Sequence, residues 1–211
     1  MKKLLFITAM GLMPAWAHAQ FAEGNILLGG SIGFNSSKTE SQPDDIKTSG
    51  YQFSPQVLYF VNPNIAVGLN FGIEGTKSKP SDDKTTDLHF GPAVRFQGKW
   101  VERASCYGQL NIDIGSGSEE RKTTYFDPVT FVQTDYTRKD KYSTVGATLF
   151  PGINYMVKPH FYLDMRYGML SYGSRNNKPD NSHGTVEDYK TSGFVLNLDL
   201  TSLMLGAYVT F

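Results

Sequence analysis

The sequence has few cysteines, no net excess of charge, and no long apolar run after its first twenty residues. Its 211 residues include one cysteine, Cys106, which excludes a disulfide framework and a cluster of cysteine ligands for zinc or iron–sulfur. Twenty basic residues against twenty acidic ones exclude a polybasic nucleic-acid binder, so nucleic acid is not expected as a partner. An aromatic content of 13% excludes a disordered chain. The length fits one domain.

The first nineteen residues have the pattern of a secretory signal peptide. Lys2 and Lys3 precede a mostly apolar stretch, Leu4 to Trp16, and Ala17-His18-Ala19 supplies the small residues of a cleavage site. A membrane anchor needs roughly 18 or more apolar residues, and this run is shorter and contains Pro14. We therefore expect cleavage after Ala19, an exported domain at residues 20–211, and a mature chain with 18 basic and 20 acidic residues.

The exported part alternates between apolar and small or polar residues with a period of two. In Ile65–Glu74 the odd positions are large and apolar, while the even positions are small or polar. Such a period predicts a β-strand whose two faces meet different surroundings. We expect eight such strands and no helix. Their apolar rows are Ile26–Phe34, Tyr51–Tyr59, Ile65–Ile73, Leu88–Phe96, Leu110–Ile114, Val145–Tyr155, Phe161–Met169 and Leu203–Phe211.

Alternation is compatible with a soluble barrel, whose apolar face is inside, and with a membrane barrel, whose apolar face meets lipid. Short turns at 62–64, 98–102 and 158–160 alternate with long polar connections at 36–48, 75–85, 116–141 and 174–191, as in transmembrane barrels. Apolar-face aromatics gather near the short turns, as an interfacial girdle requires. They are Tyr59, Phe96, Tyr155, Phe161 and Phe211, with Trp100 in a turn. The glycine- and amide-rich opposite face suits a narrow hydrated interior. The lipid-facing interpretation is favoured.

The chain resembles small outer-membrane barrels of the OmpX type and the OmpA transmembrane-domain type. The resemblance rests on the signal peptide, the first strand Leu27–Phe34, and the tail Met204–Phe211. It implies an all-β, eight-stranded, antiparallel up-and-down transmembrane β-barrel with short periplasmic turns and long extracellular loops. The tail resembles the signal read by the barrel assembly machinery at Gly206, Val209 and Phe211, and departs from it at Met204. No periplasmic peptidoglycan-binding domain is expected.

If the apolar face meets lipid, several charged residues point into the lumen. Eight strands leave room for little more than side chains, so these groups should pair and form a polar network. The alternative is a gate for protons or ions in which Arg95 or Arg166 exchanges carboxylate partners. The predicted network consists of Glu74, Arg95, Asp113, Asp164 and Arg166, with uncharged neighbours and His89 around it.

The connection between Gly115 and Tyr142 is the strongest candidate for a binding surface. A turn at Asp127-Pro128-Val129-Thr130 would set Glu119 and Glu120 roughly opposite Arg138 and Lys139. The flanking residues favour strands, so the hairpin either protrudes as a β-ribbon or remains a disordered, solvated loop. As a ribbon, its edge could add a strand of an extracellular partner. The proposed contact residues are Tyr125, Phe126, Phe131 and Val132.

The sequence indicates no catalytic site, no metal site and no cofactor. Gly29–Gly33 matches a nucleophile elbow but lies in an alternating strand without a following helix. His89, His160 and His183 lack zinc-ligand spacing. One irregularity remains near the end of the chain. Phe194–Leu200 is apolar on even positions and the last strand on odd ones, so either a bulge lies near Thr201-Ser202 or the preceding residues lie above the bilayer.

Three functions follow in order of preference. The first is a non-enzymatic integral outer-membrane protein with a structural or adhesive role, whose partners are membrane lipid, the assembly machinery and an extracellular protein or surface ligand. The second is a narrow channel or a conduit for small or hydrophobic solutes. The third is an outer-membrane lipid-modifying enzyme, for which no His-x-Ser pair is present. Fold analogy does not decide among them.

Overall fold

The computed structural model describes residues 21–40, 45–126, 133–179, 187–198 and 203–211. The predicted signal peptide (1–19), the hairpin residues Phe131 and Val132, and the predicted bulge at Thr201-Ser202 lie outside these ranges. The described residues form ten strands: β1 (Ile26–Thr39), β2 (Ile46–Asn62), β3 (Ile65–Lys79), β4 (Lys84–Val101), β5 (Ala104–Phe126), β6 (Gln133–Lys158), β7 (Phe161–Arg166), β8 (Met169–Lys178), β9 (Tyr189–Asn197) and β10 (Met204–Thr210).

The strands close into a ring of antiparallel neighbours. Strands β1 to β6 pair in sequence, β6 pairs with β7, β7 with β10, and β10 returns to β1. Ten strand segments make an eight-stranded ring, because β7 and β8 lie end to end beside β6 and β9 and β10 lie end to end beside them. We call each such end-to-end pair one course of the wall. This arrangement confirms the predicted eight-stranded, antiparallel up-and-down barrel. No helix of the described residues is long and apolar enough to cross a membrane.

The seventh course is interrupted by a bulge at Tyr167-Gly168. Opposite β6, the pairing shifts by one residue between Gly152↔Arg166 and Leu149↔Leu170, and Gly168 has a positive φ of 74°. The extra residue reverses which face each side chain meets. The prediction of one alternating strand through Met169 is therefore wrong beyond Arg166, since Met169 lines the lumen.

The wall is closed at the end with the short turns and less completely at the other end. Strand β1 pairs with β10 only up to Gly33↔Met204, and above this point its described residues pair with β2 alone. Strand β9 pairs with β8 alone among the described residues. We call the two ends the turn end and the loop end.

The outer surface carries a continuous apolar band, as the alternation predicts. Its members are exposed although they are large and apolar, which places them against lipid. Trp100 is 65% exposed and Phe96 is 55% exposed at the turn end. The other predicted girdle residues, Tyr59, Tyr155, Phe161 and Phe211, are exposed there too.

The connections at the loop end are largely continuations of the strands. The pairing of β1 with β2 runs to Thr39↔Ile46, and that of β3 with β4 to Lys77↔Lys84. Strands β5 and β6 stay paired as far as Phe126↔Gln133. The polar sequences 36–48, 75–85 and 116–141 are therefore mostly hydrogen-bonded strand, because exposed strands can be polar on both faces.

Four tyrosines cover glycines that lie directly opposite them on the neighbouring strand. Each glycine's missing Cβ would overlap the tyrosine ring, so the ring occupies the space that a side chain would fill. This is the arrangement in which an aromatic residue shields a strand glycine and fixes the register. The pairs are Tyr208 with Gly29, Tyr51 with Gly75, Tyr142 with Gly117, and Tyr107 with Gly152.

Candidate functional site

Two arginines lie in the lumen and are held by amides and tyrosines as well as by an acid. Arg95 is fully buried on β4, and Arg166 on β7 is 5% exposed. Both point inward because they occupy the polar phase of strands whose other face meets lipid. The surrounding side chains come from β2, β5, β7 and β10. We call this group the arginine layer; it consists of Gln56, Arg95, Tyr107, Gln109, Asp164, Arg166 and Tyr208.

Arg166 has an acidic partner in the arginine layer. Its Nε lies 3.1 Å from Asp164 Oδ2 and 3.2 Å from the Tyr107 hydroxyl oxygen, and its Nη2 donates to the Tyr208 hydroxyl. Tyr107 donates in turn to Asp164 Oδ1 at 2.7 Å. The guanidinium also lies over the Phe150 ring, 4.7 Å from its centre. Asp164 is thus bonded on both carboxylate oxygens, as a buried charge requires.

Arg95 is held by uncharged groups. Its Nε donates to Gln109 Oε1 at 2.8 Å, and its guanidinium carbon lies 3.9 Å from the centre of the Tyr107 ring. When the Gln56 amide is oriented with its oxygen toward the arginines, that oxygen accepts from Arg95 Nη2 at 2.6 Å and from Arg166 Nη2 at 3.0 Å. Within the described residues, no carboxylate lies at salt-bridge distance from Arg95.

An apolar floor closes the lumen at the turn end. Phe21 is buried, and its ring stacks between Phe60 and Tyr162 with both centroid distances 4.6 Å. Backbone bonds hold this segment in place, since Gly24 N donates to the Phe60 carbonyl oxygen. Leu27, Leu58, Ala66 and Ala93 complete the floor with Tyr208, whose hydroxyl reaches into the arginine layer.

A cavity of about 680 Å³ lies on the other side of the arginine layer. Arg166 and Phe150 line it, together with inward residues of β3 to β6, β8 and β9. Glu74 and Asp113 belong to this cavity and not to the arginine layer. Gln52 donates to Glu74 at 2.5 Å, and Asn70 donates to Asp113 at 2.8 Å.

The five predicted network residues therefore lie in two groups. Arg95, Asp164 and Arg166 share the arginine layer, whereas Glu74 and Asp113 lie above it and are bonded to amides. The sequence predicts that these five groups pair and hydrogen-bond. Among them the structure has the Arg166–Asp164 salt bridge, while Glu74 and Asp113 accept hydrogen bonds from amides. Glutamine and asparagine side chains bond Glu74, Asp113 and Arg95 in place of a second ion, and the buried Nη1 of Arg95 has no hydrogen-bond partner among the described residues.

Gln56, Tyr107 and Tyr208 complete the arginine layer but were not predicted as part of the site. Tyrosine is counted as an apolar or interfacial residue when a sequence is searched for alternation, so Tyr107 and Tyr208 are not recognised as polar residues of the lumen. The positions of Tyr107 and Tyr208 in the alternating pattern do indicate that they face the lumen, because each lies on the face of its strand that otherwise carries small or polar residues. A large residue in that phase, opposite a glycine, indicates a filled lumen.

The predicted assembly-signal residues lie on or just after β10, where the ring closes. Gly206 is paired with Ser31 of β1 and with Asp164 of β7, and Val209 with Leu28 and Phe161. Phe211 exchanges two backbone hydrogen bonds with Ile26 and is exposed. The three residues thus belong to the seam between the first and last strands.

The β5–β6 hairpin is a two-stranded ribbon beyond the other strands. Pairing of β4 with β5 ends at Lys84↔Glu120, and that of β6 with β8 ends at Lys141↔Lys178. The register places Glu120 opposite Lys139, one of the two predicted pairs, and Lys139 Nζ lies 2.9 Å from Glu120 Oε1. Glu119 faces Asp140 instead of Arg138. The backbones of Tyr125 and Phe126 belong to the ribbon.

Asp82, in the connection from β3 to β4, ties that connection to the ribbon. Hydrogen bonds from Lys122 and Lys77, together with their positive charges, lower the pKa of Asp82 to about 2. The carboxylate lies 2.9 Å from Lys122 Nζ and 3.1 Å from Lys77 Nζ. Asp82 also has a positive φ of 56°, which aspartate tolerates better than most residues.

We expect Asp82 to titrate well below an ordinary aspartate. Its pKa in the unfolded chain is about 3.9. Because the folded-state pKa is lower, the ion pairs stabilise the connection above about pH 4, and this contribution disappears as the pH falls through about 2. Carboxyl-carbon NMR of Asp82 against pH measures it. In K122Q the pKa should rise toward the ordinary value, and an unchanged pKa would contradict the assigned partner.

The chain belongs to the outer membrane protein beta-barrel domain family, whose model matches residues 4–201. This membership, with the exposed apolar band, places the barrel in an outer membrane and its wall against lipid. The turn end is periplasmic and the loop end extracellular. A search of curated protein sequences finds no match.

Solved structures similar to this chain include several outer-membrane proteins of about its own length. Ail, the attachment invasion locus protein of Yersinia pestis, is 19% identical, with a TM-score of 0.40 over 90% of this chain and 99% of that chain. A major outer membrane protein of Thermus thermophilus is 12% identical, with a TM-score of 0.48 over 89% and 99%. Neisserial surface protein A is 17% identical, with a TM-score of 0.40 over 91% and 100%.

Proposed function

We propose that the protein is a non-enzymatic membrane anchor that presents the β5–β6 ribbon to a partner outside the cell. The ribbon carries this proposal. From Ile114, in the apolar band, to Phe126, the strand continues for twelve residues, about 40 Å at the usual rise per residue. The last six residues of this strand, Arg121–Phe126, about 20 Å, belong to the two-stranded ribbon beyond β4. Its hydrogen-bonded backbone holds a binding surface away from the membrane at little cost in conformational entropy on binding.

The two edges of the ribbon offer a mode of binding. Beyond Glu120 on β5 and before Lys141 on β6, the described backbone pairs only within the ribbon. Unpaired strand edges are templates for an added strand, with backbone hydrogen bonds supplying affinity. An extended segment of an extracellular protein is therefore the partner class that the ribbon fits.

The interior argues against transport. The arginine layer and the apolar floor lie one after the other across the lumen, and Leu27, Phe60 and Arg95 have no exposed surface. A solute would have to displace a buried salt bridge and a stacked aromatic group. We therefore expect no steady conductance in planar bilayers. Conductance that is abolished by changing Arg95, Asp113 or Arg166 would favour the channel instead.

The proposal includes export by a cleaved signal peptide and insertion by the barrel assembly machinery. Cleavage after Ala19 would release a mature chain beginning at Gln20, and the floor begins one residue later at Phe21. Gly206, Val209 and Phe211 would present the last strand to the barrel assembly machinery. Their place at the ring-closing seam supports this role, because the seam forms only when the last strand meets the first.

Deleting the ribbon should abolish cell-surface binding and spare the barrel. We would replace residues 121–138 by a two-residue turn, which keeps the Glu120–Lys139 pair that ends the shared sheet. Adhesion of cells to host-cell or matrix surfaces is the readout, and the heat-dependent gel shift of the outer-membrane fraction reports folding. The matched control shortens the β8–β9 connection at residues 180–186. Adhesion retained by a folded ribbon deletion would refute this binding surface.

A further inference from the structure

The outward face of the barrel carries a ring of lysines at the loop end. These lysines occupy the same phase of their strands as the exposed apolar residues, so they face away from the lumen. We call them the lysine ring. It consists of Lys38, Lys47, Lys77, Lys79, Lys84, Lys122, Lys139, Lys141, Lys178 and Lys190.

Six of the ten lysines have the same height above the apolar band, four residues beyond its last outward member. On β1 the outward residues are Phe34, Ser36 and Lys38, and the same order of apolar, small and lysine recurs on other strands. Four residues of strand span about 13 Å, or about 10 Å along the membrane normal at the usual tilt. Long lysine side chains extend their ammonium groups along the wall. The other triplets are Tyr51-Ser49-Lys47, Ile73-Gly75-Lys77, Leu88-Thr86-Lys84, Val145-Ser143-Lys141 and Phe194-Ser192-Lys190.

The register brings lysines directly opposite one another. Lys38, Lys47 and Lys79 form one row across β1, β2 and β3, and Lys141 faces Lys178. Like charges opposite each other on one face destabilise a sheet. In the described structure Lys47, Lys79, Lys141, Lys178 and Lys190 form no salt bridge, and Lys84 lies opposite Glu120 without forming one.

Charges at the loop end are sorted by face. Inside, arginines meet acids: Arg121 pairs with Glu119, Arg138 with Asp140, and Arg175 with Glu119. Outside, Glu120 of β5 pairs with Lys139. Two acids of the connections also pair with ring lysines: Asp45 with Lys38, and Asp82 with both Lys77 and Lys122. The turn end has no such ring among the described strands and presents aromatic residues such as Trp100. The outer wall is thus cationic at one membrane surface and aromatic at the other.

We propose that the lysine ring binds the phosphate groups of outer-leaflet lipids around the circumference of the barrel. Headgroup phosphates lie just outside the hydrocarbon region, the level that the lysine ring occupies above the apolar band. Each lysine near an anionic membrane surface adds to the attraction. A ring that surrounds the wall matches a continuous belt of lipid, because no single soluble ligand reaches every side of it.

The test compares phosphatidylcholine bilayers that differ only in the phosphate groups of added lipid A. The protein is refolded in phosphatidylcholine bilayers containing lipid A, a bis-phosphorylated glucosamine lipid, or its chemically dephosphorylated form. Lipid retained after detergent extraction is measured by native mass spectrometry. We expect the wild type to retain at least about tenfold more of the phosphorylated lipid. Equal retention of the two forms would overturn the proposal, because acyl-chain contacts would then be sufficient.

Charge-neutral variants test the lysines themselves. K47Q, K79Q, K84Q, K141Q, K178Q and K190Q combined should remove the preference for phosphate. The control combines K99Q, R103Q and K158Q at the turn end and should keep it. Displacement of lipid A from the wild type by millimolar pyrophosphate, with pyrophosphate retained, would identify a soluble polyanion as the ligand and refute the lipid.

A two-lysine variant separates phosphate binding from folding. K141Q with K178Q removes one like-charge pair, so it should raise the gel-shift midpoint in pure phosphatidylcholine. In bilayers containing lipid A the same variant should lose the stabilisation that phosphate provides and retain several-fold less lipid. Changes of the same sign in both bilayers would show that the pair is only structural and would overturn its assigned role.

Discussion

Replacing Arg166 by alanine should lower the free energy of unfolding of the barrel by about 3–5 kcal/mol, the usual effect of breaking a buried ion pair. The change leaves Asp164 buried with the hydrogen bond from the Tyr107 hydroxyl but without its cation, and it removes the guanidinium from beside Tyr208. The midpoint of urea unfolding in detergent micelles or bilayers, followed by tryptophan fluorescence, measures the effect.

Two variants define what the loss at Arg166 means. R103A removes an exposed arginine at the turn end and should change the midpoint little. R166M keeps most of the side-chain volume while removing the charge, so it should be nearly as destabilising as R166A if charge pairing dominates. An R166A midpoint equal to that of the wild type would show that water compensates Asp164 and that the arginine layer is not dry.

Replacing Gly152 by valine should prevent the barrel from folding or destabilise it by at least about 3 kcal/mol. A side chain on Gly152 would occupy the position of the Tyr107 ring, which is fully buried and bonded to Asp164. The ring has no free space to enter, so either the β5–β6 pairing or the arginine layer must be disrupted. The heat-dependent gel shift after refolding, with the same unfolding midpoint, measures this loss.

Gly108 provides the matched control for Gly152. It lies on β5 beside Tyr107, and a Cβ there would meet nothing within 4 Å. G108V should therefore fold with a midpoint close to that of the wild type. If G152V behaves like G108V, Tyr107 does not depend on its opposing glycine and the shielding pair has no energetic role. Restoring G152V by Y107A would support steric overlap as the cause.

Most of the wall could be predicted from sequence because lipid imposes a strict requirement on every second residue. Ile65, Val67 and Leu69 are outward by the same rule that turns Arg95 and Arg166 inward. Residues beyond the bilayer are under no such requirement, so β1, β3 and β5 extend farther than the apolar rows indicate. There the backbone pairs continue with polar residues on both faces, and alternation no longer marks the strand.

The sequence predicts which side chains point into the lumen, but it does not predict which of them bond to one another. Alternation placed Glu74, Asp113 and Asp164 on one face, yet their pairing depends on height and on the stagger between distant strands. Gln109 reaches Arg95 from an adjacent strand. The Gln56 amide, by contrast, lies within hydrogen-bonding distance of the Tyr208 hydroxyl because β10 closes the ring against β1. Ring closure brings residues together that are far apart in sequence, and no local pattern records that proximity.

The bulge at Tyr167-Gly168 shows how this wall tolerates changes in chain length. Elsewhere an inserted residue would turn every following side chain of its strand toward the wrong face, exchanging lysines with arginines and apolar groups with amides. At the bulge that reversal is already absorbed, because β8 keeps its own phase and still pairs with the uninterrupted β6. Insertions and deletions in the evolution of this barrel should therefore be found at such joints and in the extracellular tips, and seldom within the paired courses between them.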